Sequence, residues 1–311
     1  MTPSYHTRIC PNNERKLKVF YRPEMSAPAN DLYSPSAFKP KLVVEDWLAN
    51  AVLADAIEVQ HFSPAQRSHF DAVHHPDYVD GVMGLREPNG FGTVDAAIAA
   101  TFPYTVGSMV SAAKYVLSKR DEEDWRMAIS PTSGFHHAGY NFGGGYCTFN
   151  GLMAAAVMVY TLGLAKRILI IDMDHHYGNG TDDIIKKLGL AYVTHITAVK
   201  SYKTADEAFG VIGRMRKMIF DRIKPDLVLY QAGADMHVDD PLGGIMTTEQ
   251  MMHRDQTIIK GCSDRRIPLV WNLAGGYQRD VKGTIEPVLK LHRNTVLTCL
   301  HPKVMAMLEW S

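Results

Sequence analysis

The chain of 311 residues carries 33 basic and 33 acidic side chains, so its formal net charge is zero. Without excess positive charge it has no global field to hold nucleic acid, and direct nucleic-acid binding is not expected. Its four cysteines form no C-x-x-C pair, which argues against a cysteine-type zinc site and a disulfide framework. The N-terminal segment lacks an apolar signal core, and no run of about 18 apolar residues occurs. We therefore expect a cytoplasmic protein that does not enter a membrane.

Short apolar runs rich in β-branched residues recur along the chain and do not alternate with polar residues. This pattern is typical of strands that are buried on both faces of a parallel sheet. In chain order the predicted strands lie in 17–23, 57–62, 127–137, 167–174, 192–197, 226–235 and 268–277, with 295–300 as an eighth candidate.

Helical patterns lie between these runs, at 96–117, 150–162, 180–188, 205–223 and 247–262. Strands that alternate with helices predict an α/β fold in which helices cover both faces of the sheet. No linker, repeat or low-complexity segment divides the chain. We predict a single domain over residues 1–311, with a mostly parallel sheet of about eight strands sandwiched by helices.

Polar residues cluster where four of the predicted strands end. The segments are SGFHH, DMDHH, QAGAD and NLAGGY, and each follows an apolar run. In open α/β sheets, ligands bind just beyond the carboxyl ends of the strands. The sequence therefore predicts that four strands deliver chemistry to one edge of the sheet.

The segment DMDHH carries the first candidate metal ligands. If the strand continues to position 176, alternation places Asp172, Asp174 and His176 on one side and His175 on the other. Asp174 and His176 are then spaced to bind one cation. Asp172 is better placed to bind a neighbouring imidazole or a second cation. The alternative is a hydrogen-bonded polar cluster that holds no metal.

A third candidate ligand, Asp235, ends the segment QAGAD on a different strand. An Asp-His-Asp set with an open position is typical of a catalytic zinc site. Two oxygens and one nitrogen are a harder set than three imidazoles, so Fe²⁺ or Co²⁺ can replace Zn²⁺. In the alternative interpretation, Asp235 only caps a turn or a helix.

Three further segments supply groups suited to acyl chemistry. His136 and His137 follow a strand end, and a histidine can act as general base near neutral pH. Tyr277 follows two glycines and can donate a hydrogen bond to a developing oxyanion, or can be a partly buried surface tyrosine. The glycine run in 142–147 matches no nucleotide-binding motif. It allows the backbone to pass close to a ligand, with Tyr146 as an apolar wall.

Taken in order, HHA, GGGYC, DxDxHxGNG, GADxxxxDPLGG and GGY resemble the histone deacetylase and acetylpolyamine amidohydrolase family. The resemblance covers most of the chain, from HFDAVHHPDYV at 69–79 to Tyr277. It implies the arginase–deacetylase fold and zinc-dependent hydrolysis of the amide of an acylated primary amine.

The resemblance implies that Asp174, His176 and Asp235 are the metal ligands. It places Zn²⁺ there. The backbone around Asp172 and Asp174 resembles the family's potassium site, although the serine that often contributes to that site is not evident in THITA.

The resemblance also implies catalytic roles. His136 and His137 match the tandem active-site histidines, Asp172 the acid that pairs with the first, and Asn179 the residue that orients the second. Tyr277 matches the catalytic tyrosine.

For substrate binding, Gly145 matches the residue whose carbonyl receives the substrate amide N–H, and Tyr146 matches one aromatic wall of an acyl-lysine tunnel. Tyr177 stands where a second histidine is common. The loop 80–95 has no clear equivalent of the aspartate that grips substrate backbone in many protein deacetylases, and Asp95 is the candidate for that role. Tyr202 is the candidate for the opposite wall.

The leading functional hypothesis is deacetylation of N-acetyl-lysine in proteins or peptides. A deacetylase for acetylpolyamines or another small acylated amine is the alternative. A catalytically silent acyl-lysine binder is disfavoured because all the catalytic candidates are present. Urea hydrolysis of the arginase type is also disfavoured, because it uses two metals and no tandem histidines with a tyrosine.

Overall fold

The computed structural model describes residues 16–28, 34–118, 126–197, 204–217 and 222–300. Within these residues, seven strands form one sheet: β1 (Leu17–Phe20), β2 (Ile57–Gln60), β3 (Met127–Ile129), β4 (Ile168–Asp172), β5 (Val193–Thr197), β6 (Leu227–Gln231) and β7 (Leu269–Asn272). The spatial order is β2-β1-β3-β7-β6-β4-β5, and every neighbouring pair is parallel. The prediction of a mostly parallel α/β sheet is confirmed. The single-domain prediction extends over residues that lie outside the described ranges.

Eleven helices are described: α1 (Lys39–Ala49), α2 (Ala51–Ala56), α3 (Arg67–Asp71), α4 (Pro76–Met83), α5 (Ala96–Ala99), α6 (Phe102–Ser118), α7 (Gly151–Thr161), α8 (Asn179–Leu188), α9 (Ala205–Lys217), α10 (Thr248–Ser263) and α11 (Glu286–Leu300). The helix predicted over 96–117 is divided into α5 and α6. Pro103 lies in the first turn of α6, where a proline favours a new helix start. The end of the predicted helix 205–223 falls partly outside the described residues.

The eighth predicted strand, 295–300, is wrong because this segment belongs to α11. Its buried positions include Val288, Leu291, Thr295 and Cys299, which recur every three or four residues. That spacing places them on one face of a helix. The β-branched residues of TVLTCL therefore serve helix packing.

Each central strand is buried on both faces. In β4, Leu169 and Ile171 pack into one apolar layer, and Ile168 and Ile170 pack into the other. Burial on both faces explains why the strand is continuously apolar.

One helical segment among the described residues, 96–118, has the length and mean hydropathy of a membrane span. Most of its most apolar part, 61%, is buried inside the protein. There α6 packs against α7, β3 and β7. Packing in the core therefore accounts for its apolar composition.

The register of the sheet aligns polar residues at one edge. Asp172 is paired with Gln231 and with Thr197, and Gln231 is paired with Asn272. Because the strands are parallel, their carboxyl ends meet at this edge. The loops that follow β3, β4, β6 and β7 carry the candidate site.

Candidate active site

The turn after β4 arranges the first two candidate ligands. β4 ends at Asp172, so strand alternation does not continue to position 176 as the prediction assumed. Instead, Oδ1 of Asp172 accepts a hydrogen bond from the Asp174 backbone N–H at 3.2 Å, and Oδ1 of Asp174 accepts one from the His176 N–H at 3.0 Å. Aspartate bonds to the backbone two residues ahead stabilise turns. These two bonds bring Asp174 and His176 together.

Asp174, His176 and Asp235 form a compact group. Their ligand atoms lie within 4.8 Å of one another, and among the described residues this group alone has that geometry. Nδ1 of His176 lies 3.1 Å from Oδ1 of Asp174 and 3.1 Å from Oδ2 of Asp235. Asp235 reaches the group from the 3₁₀ turn Ala234–Met236, which follows β6.

The two carboxylates of this group are buried, at 2% and 0% exposure. Backbone amides hold them: Gly275 donates to Oδ2 of Asp174 at 2.9 Å, and His175 donates to Oδ1 of Asp235 at 3.2 Å. Burial and the Asp174 charge raise the pKa of Asp235 to about 8. Carboxylates this close cannot both ionise readily unless a cation lies between them. Two carboxylates and one imidazole nitrogen fit a divalent cation.

His175 lies beside this group but is not part of it. Its ring meets the ring of His176 edge-on, with centroids 5.4 Å apart. Its Nδ1 is buried without a hydrogen-bond partner. The structure thus places His176, and not His175, at the candidate metal position.

The tandem histidines lie side by side, with ring centroids 4.1 Å apart. Nδ1 of His136 lies 2.7 Å from Oδ2 of Asp172, and Nδ1 of His137 lies 2.6 Å from Oδ1 of Asn179. One histidine therefore has a carboxylate partner and the other a neutral amide.

These partners separate the pKa values of the two histidines. Burial disfavours the charged form of His136, but Asp172 and Asp174 outweigh it and raise its pKa to about 9. Burial and the neighbouring His136 charge lower the pKa of His137. Neighbouring titratable groups whose pKa values are pushed apart are suited to different acid and base roles.

The first turn of α8 packs directly on the histidine segment. The Thr181 N–H donates to the His136 carbonyl at 3.0 Å. A Cβ on Gly180 would lie 2.4 Å from the carbonyl carbon of Ala138, so a side chain there would displace backbone. This close approach allows Asn179 to reach His137.

Tyr277 lies in the loop after β7, with 9% of its surface exposed. Its backbone N–H donates to Oδ2 of Asp240 at 2.8 Å, and Lys39 donates to the Ala274 carbonyl at 2.5 Å. Two buried charged side chains therefore anchor this loop.

The Tyr277 phenol is held in its protonated form. Burial, followed by the charges of Asp174 and Asp235, raises its pKa above the ordinary value of 10.0. A protonated phenol beside the candidate metal group can donate a hydrogen bond.

Gly145 and Tyr146 line the approach to the histidines. Gly145 has φ +51°, and a Cβ there would lie 2.4 Å from Cδ2 of His137. Tyr146 has φ +64°, a left-handed conformation that is uncommon for tyrosine and recurs at functional sites. Its ring lies 5.7 Å from that of Tyr277 and 5.6 Å from that of Phe91. Phe91, which the sequence analysis missed, extends the aromatic wall.

Two further residues, Asp95 and Tyr202, were candidates for the rim of the substrate site. Oδ1 of Asp95 accepts hydrogen bonds from the backbone of Ala97 at 2.7 Å and Ile98 at 3.1 Å, so Asp95 caps α5. Tyr202 lies outside the described residues.

Gln231 is a second residue that the sequence analysis missed. Its Nε2 donates to Oδ1 of Asp172 at 3.0 Å, and its Oε1 accepts from the Phe135 N–H at 3.2 Å. It therefore joins the loop before His136 to the carboxylate behind it. The available signal was a polar residue at the end of an apolar strand.

The seven-stranded parallel sheet flanked by helices has the arginase–deacetylase fold, and it brings these groups to one edge. The family model of the histone deacetylase domain matches residues 37–203 and 188–289. The chain therefore belongs to the histone deacetylase domain family.

The proteins similar to this chain include a named histone deacetylase and a named acetylpolyamine amidohydrolase. An uncharacterized protein of Picosynechococcus is 26% identical over 248 residues, covering 73% of this chain and 81% of that protein. Histone deacetylase 2 of Arabidopsis thaliana is 27% identical over 206 residues, covering 60% of this chain and 52% of that protein. Acetylpolyamine amidohydrolase 2 of Pseudomonas aeruginosa is 33% identical over 150 residues, covering 45% and 38%. The chain thus spans about half, or less, of the length of these two named relatives.

Solved structures show the same fold. The HDA15 HD domain has a TM-score of 0.72 and 20% identity, covering 94% of this chain and 93% of that one. Acetylpolyamine aminohydrolase from Burkholderia pseudomallei has a TM-score of 0.69 and 18% identity, covering 91% and 98%. At these identities the likeness concerns the fold.

Proposed function

We propose that the protein hydrolyses the amide of an acylated primary amine, with N-acetyl-lysine in proteins or peptides as the leading substrate. The observation that carries the proposal is the unequal pair His136 and His137. One pairs with a buried carboxylate and the other with an amide, beside the Asp174–His176–Asp235 group.

We propose that this group holds Zn²⁺, for which Fe²⁺ can substitute in an oxygen-rich ligand set. A divalent cation there would polarise the amide carbonyl and lower the pKa of a water molecule. A potassium ion near Asp172 and Asp174 stays a prediction.

The two histidines have distinct proposed roles. With Nδ1–H of His137 bonded to Asn179, its Nε2 keeps a lone pair and can take a proton from the attacking water. The same nitrogen then returns the proton to the leaving amine. His136, charged through Asp172, supplies electrostatic stabilisation.

Tyr277 is proposed to donate its phenol hydrogen bond to the tetrahedral oxyanion. The Gly145 carbonyl accepts the substrate amide N–H, and the Tyr146 ring contacts the methylene chain of the substrate. Since Tyr146 and Tyr277 lie 5.7 Å apart, an extended side chain that passes one ring reaches the other.

The alternative substrate class is an acetylpolyamine or another small acylated amine, and acetylpolyamine amidohydrolases are among the similar proteins. The direct test measures kcat/KM of zinc-reconstituted protein on an acetyl-lysine peptide and on acetylputrescine, with a hydroxamate as active-site control. We expect hydroxamate-sensitive acetate release that is faster from the peptide. Faster release from acetylputrescine would favour the alternative, and no release from either would contradict the proposed function.

A cytoplasmic location is also proposed, on the cysteine pattern alone.

A further inference from the structure

Tyr177 occupies a position for which the sequence offered no role, and the structure gives it a partner. Its hydroxyl donates to Oδ2 of Asp182, in the first turn of α8. The other oxygen of that carboxylate, Oδ1, lies 2.7 Å from Nδ1 of His195 on β5. Tyr177 and Asp182 therefore fix one side of the His195 ring.

The other side of the ring faces the candidate active site. Nε2 of His195 lies 3.4 Å from Oδ2 of Asp172, an ion-pair distance without the alignment of a hydrogen bond. That same Oδ2 lies 2.7 Å from Nδ1 of His136. A continuous chain of polar contacts thus runs from Tyr177 through Asp182, His195 and Asp172 to His136.

The side chains in this series of contacts differ in burial. The Asp172 and His195 side chains are 0% and 1% exposed, whereas that of Asp182 is 32% exposed. The series of contacts therefore runs from two partly exposed side chains, Tyr177 and Asp182, to the buried His136. Polar groups buried in this way are costly unless they are paired, so each member constrains the next.

Asp172 is held from several directions. Oδ1 accepts from Gln231 and from the Asp174 N–H, and Thr197 donates to Oδ2 at 3.5 Å. Gln231 and the Asp174 amide fix one oxygen, but the oxygen that binds His136 is flanked by His195. The position of His195 therefore bears directly on the oxygen that orients His136.

We propose that His195 is a positioning residue: together with Asp182 and Tyr177, it fixes Oδ2 of Asp172 and thereby the orientation of the His136 ring. This inference rests on the proposed function in assigning a catalytic role to His136. Removing a hydrogen-bond partner behind a metal-site residue typically lowers activity or metal affinity ten- to a hundredfold, and we expect a loss of similar size here.

The test compares His195→Gln and Tyr177→Phe with Tyr192→Phe in the zinc-reconstituted full chain. Tyr192 is a matched control because it precedes the same strand and stacks on Tyr160 with centroids 3.5 Å apart. We expect His195→Gln to lower kcat roughly ten- to a hundredfold, with KM and zinc content unchanged. Tyr177→Phe should lower kcat less, and Tyr192→Phe should leave it unchanged.

A second measurement does not depend on turnover. The Nδ1–H proton of His136, bonded to Asp172, should give a downfield proton resonance that is assigned by its loss in His136→Gln. His195→Gln should shift or broaden this resonance, whereas Tyr192→Phe should not. An unchanged resonance, an unchanged kcat, or a loss of kcat that only follows loss of zinc or of thermal stability overturns the positioning role. If the wild-type protein is inactive but His195→Gln still displaces the resonance, the proposed function is overturned and the positioning role is kept.

Discussion

Oδ1 of Asn179 lies 2.6 Å from Nδ1 of His137. The amide fixes the ring without adding a negative charge, and the pKa of His137 stays below its ordinary value. The variant Asn179→Asp introduces that charge at the same position. A carboxylate there raises the pKa of His137, so the neutral base is present only at higher pH.

We expect the acidic limb of the kcat/KM profile of Asn179→Asp to move to higher pH. The measurement is kcat/KM against pH on the preferred acylated substrate. Lys186→Gln is a matched control, because it changes the net charge by the same amount on an exposed part of the same helix. A limb that stays in place would show that His137 is not the base.

Tyr277→Phe should lower kcat by about 10²–10³, which is typical for loss of one oxyanion donor. Zinc content and the free energy of unfolding should change little, since the backbone contact to Asp240 is kept. Steady-state kinetics, metal analysis and urea unfolding check the three expectations. Tyr140→Phe, outside the metal group, is the control. Near-native turnover of Tyr277→Phe would rule out the assigned role.

His176→Ala and His175→Ala should behave differently although they are neighbours in the chain. Nδ1 of His176 lies 3.1 Å from both carboxylates, so its loss should abolish zinc retention. His175 lies outside the group and its substitution should retain zinc. Metal content after dialysis against a weak chelator measures both. If His175→Ala lost zinc and His176→Ala retained it, the ligand would be His175 and not His176.

His74 should make stability depend on pH. It is buried, its Nδ1 lies 2.8 Å from the Gly139 carbonyl, and its Nε2 accepts from the Asn150 N–H at 2.9 Å. Burial lowers its pKa from 6.5 to about 4. Between these values the unfolded chain binds more protons, so this contribution is complete above pH 6.5 and is lost as the pH falls toward 4.

We expect wild-type protein to lose about 1 kcal/mol more stability than His74→Gln when the pH falls from about 7 to about 5.5. Urea unfolding at both pH values measures this difference. His75→Gln, at the neighbouring position where the side chain is 44% exposed, should lose as much stability as the wild type. Equal pH dependence in His74→Gln and wild type would contradict the burial argument.

Local patterns in the sequence were sufficient for much of the sheet and for the candidate ligands. Continuous apolar runs indicated the positions of the seven described strands. The position of Asp235 just after one of these runs indicated a candidate metal ligand. The same local information misassigned 295–300, because β-branched residues also serve a buried helix face. It also did not predict the contact of His195 with Asp172, because that contact joins neighbouring strands and depends on register.

The position of β7 has a consequence for biosynthesis. Among the described strands β7 comes last in the sequence, yet it lies in the middle of the sheet, between β3 and β6. While the ribosome is still making residues 269–277, the growing polypeptide lacks both Tyr277 and the Gly275 amide that holds Asp174. Until β7 is made, the edges of β3 and β6 that it pairs with are exposed, and exposed strand edges favour aggregation. The nascent chain should therefore lack the proposed activity and depend on protection from aggregation until the segment that contains β7 and Tyr277 has left the ribosome.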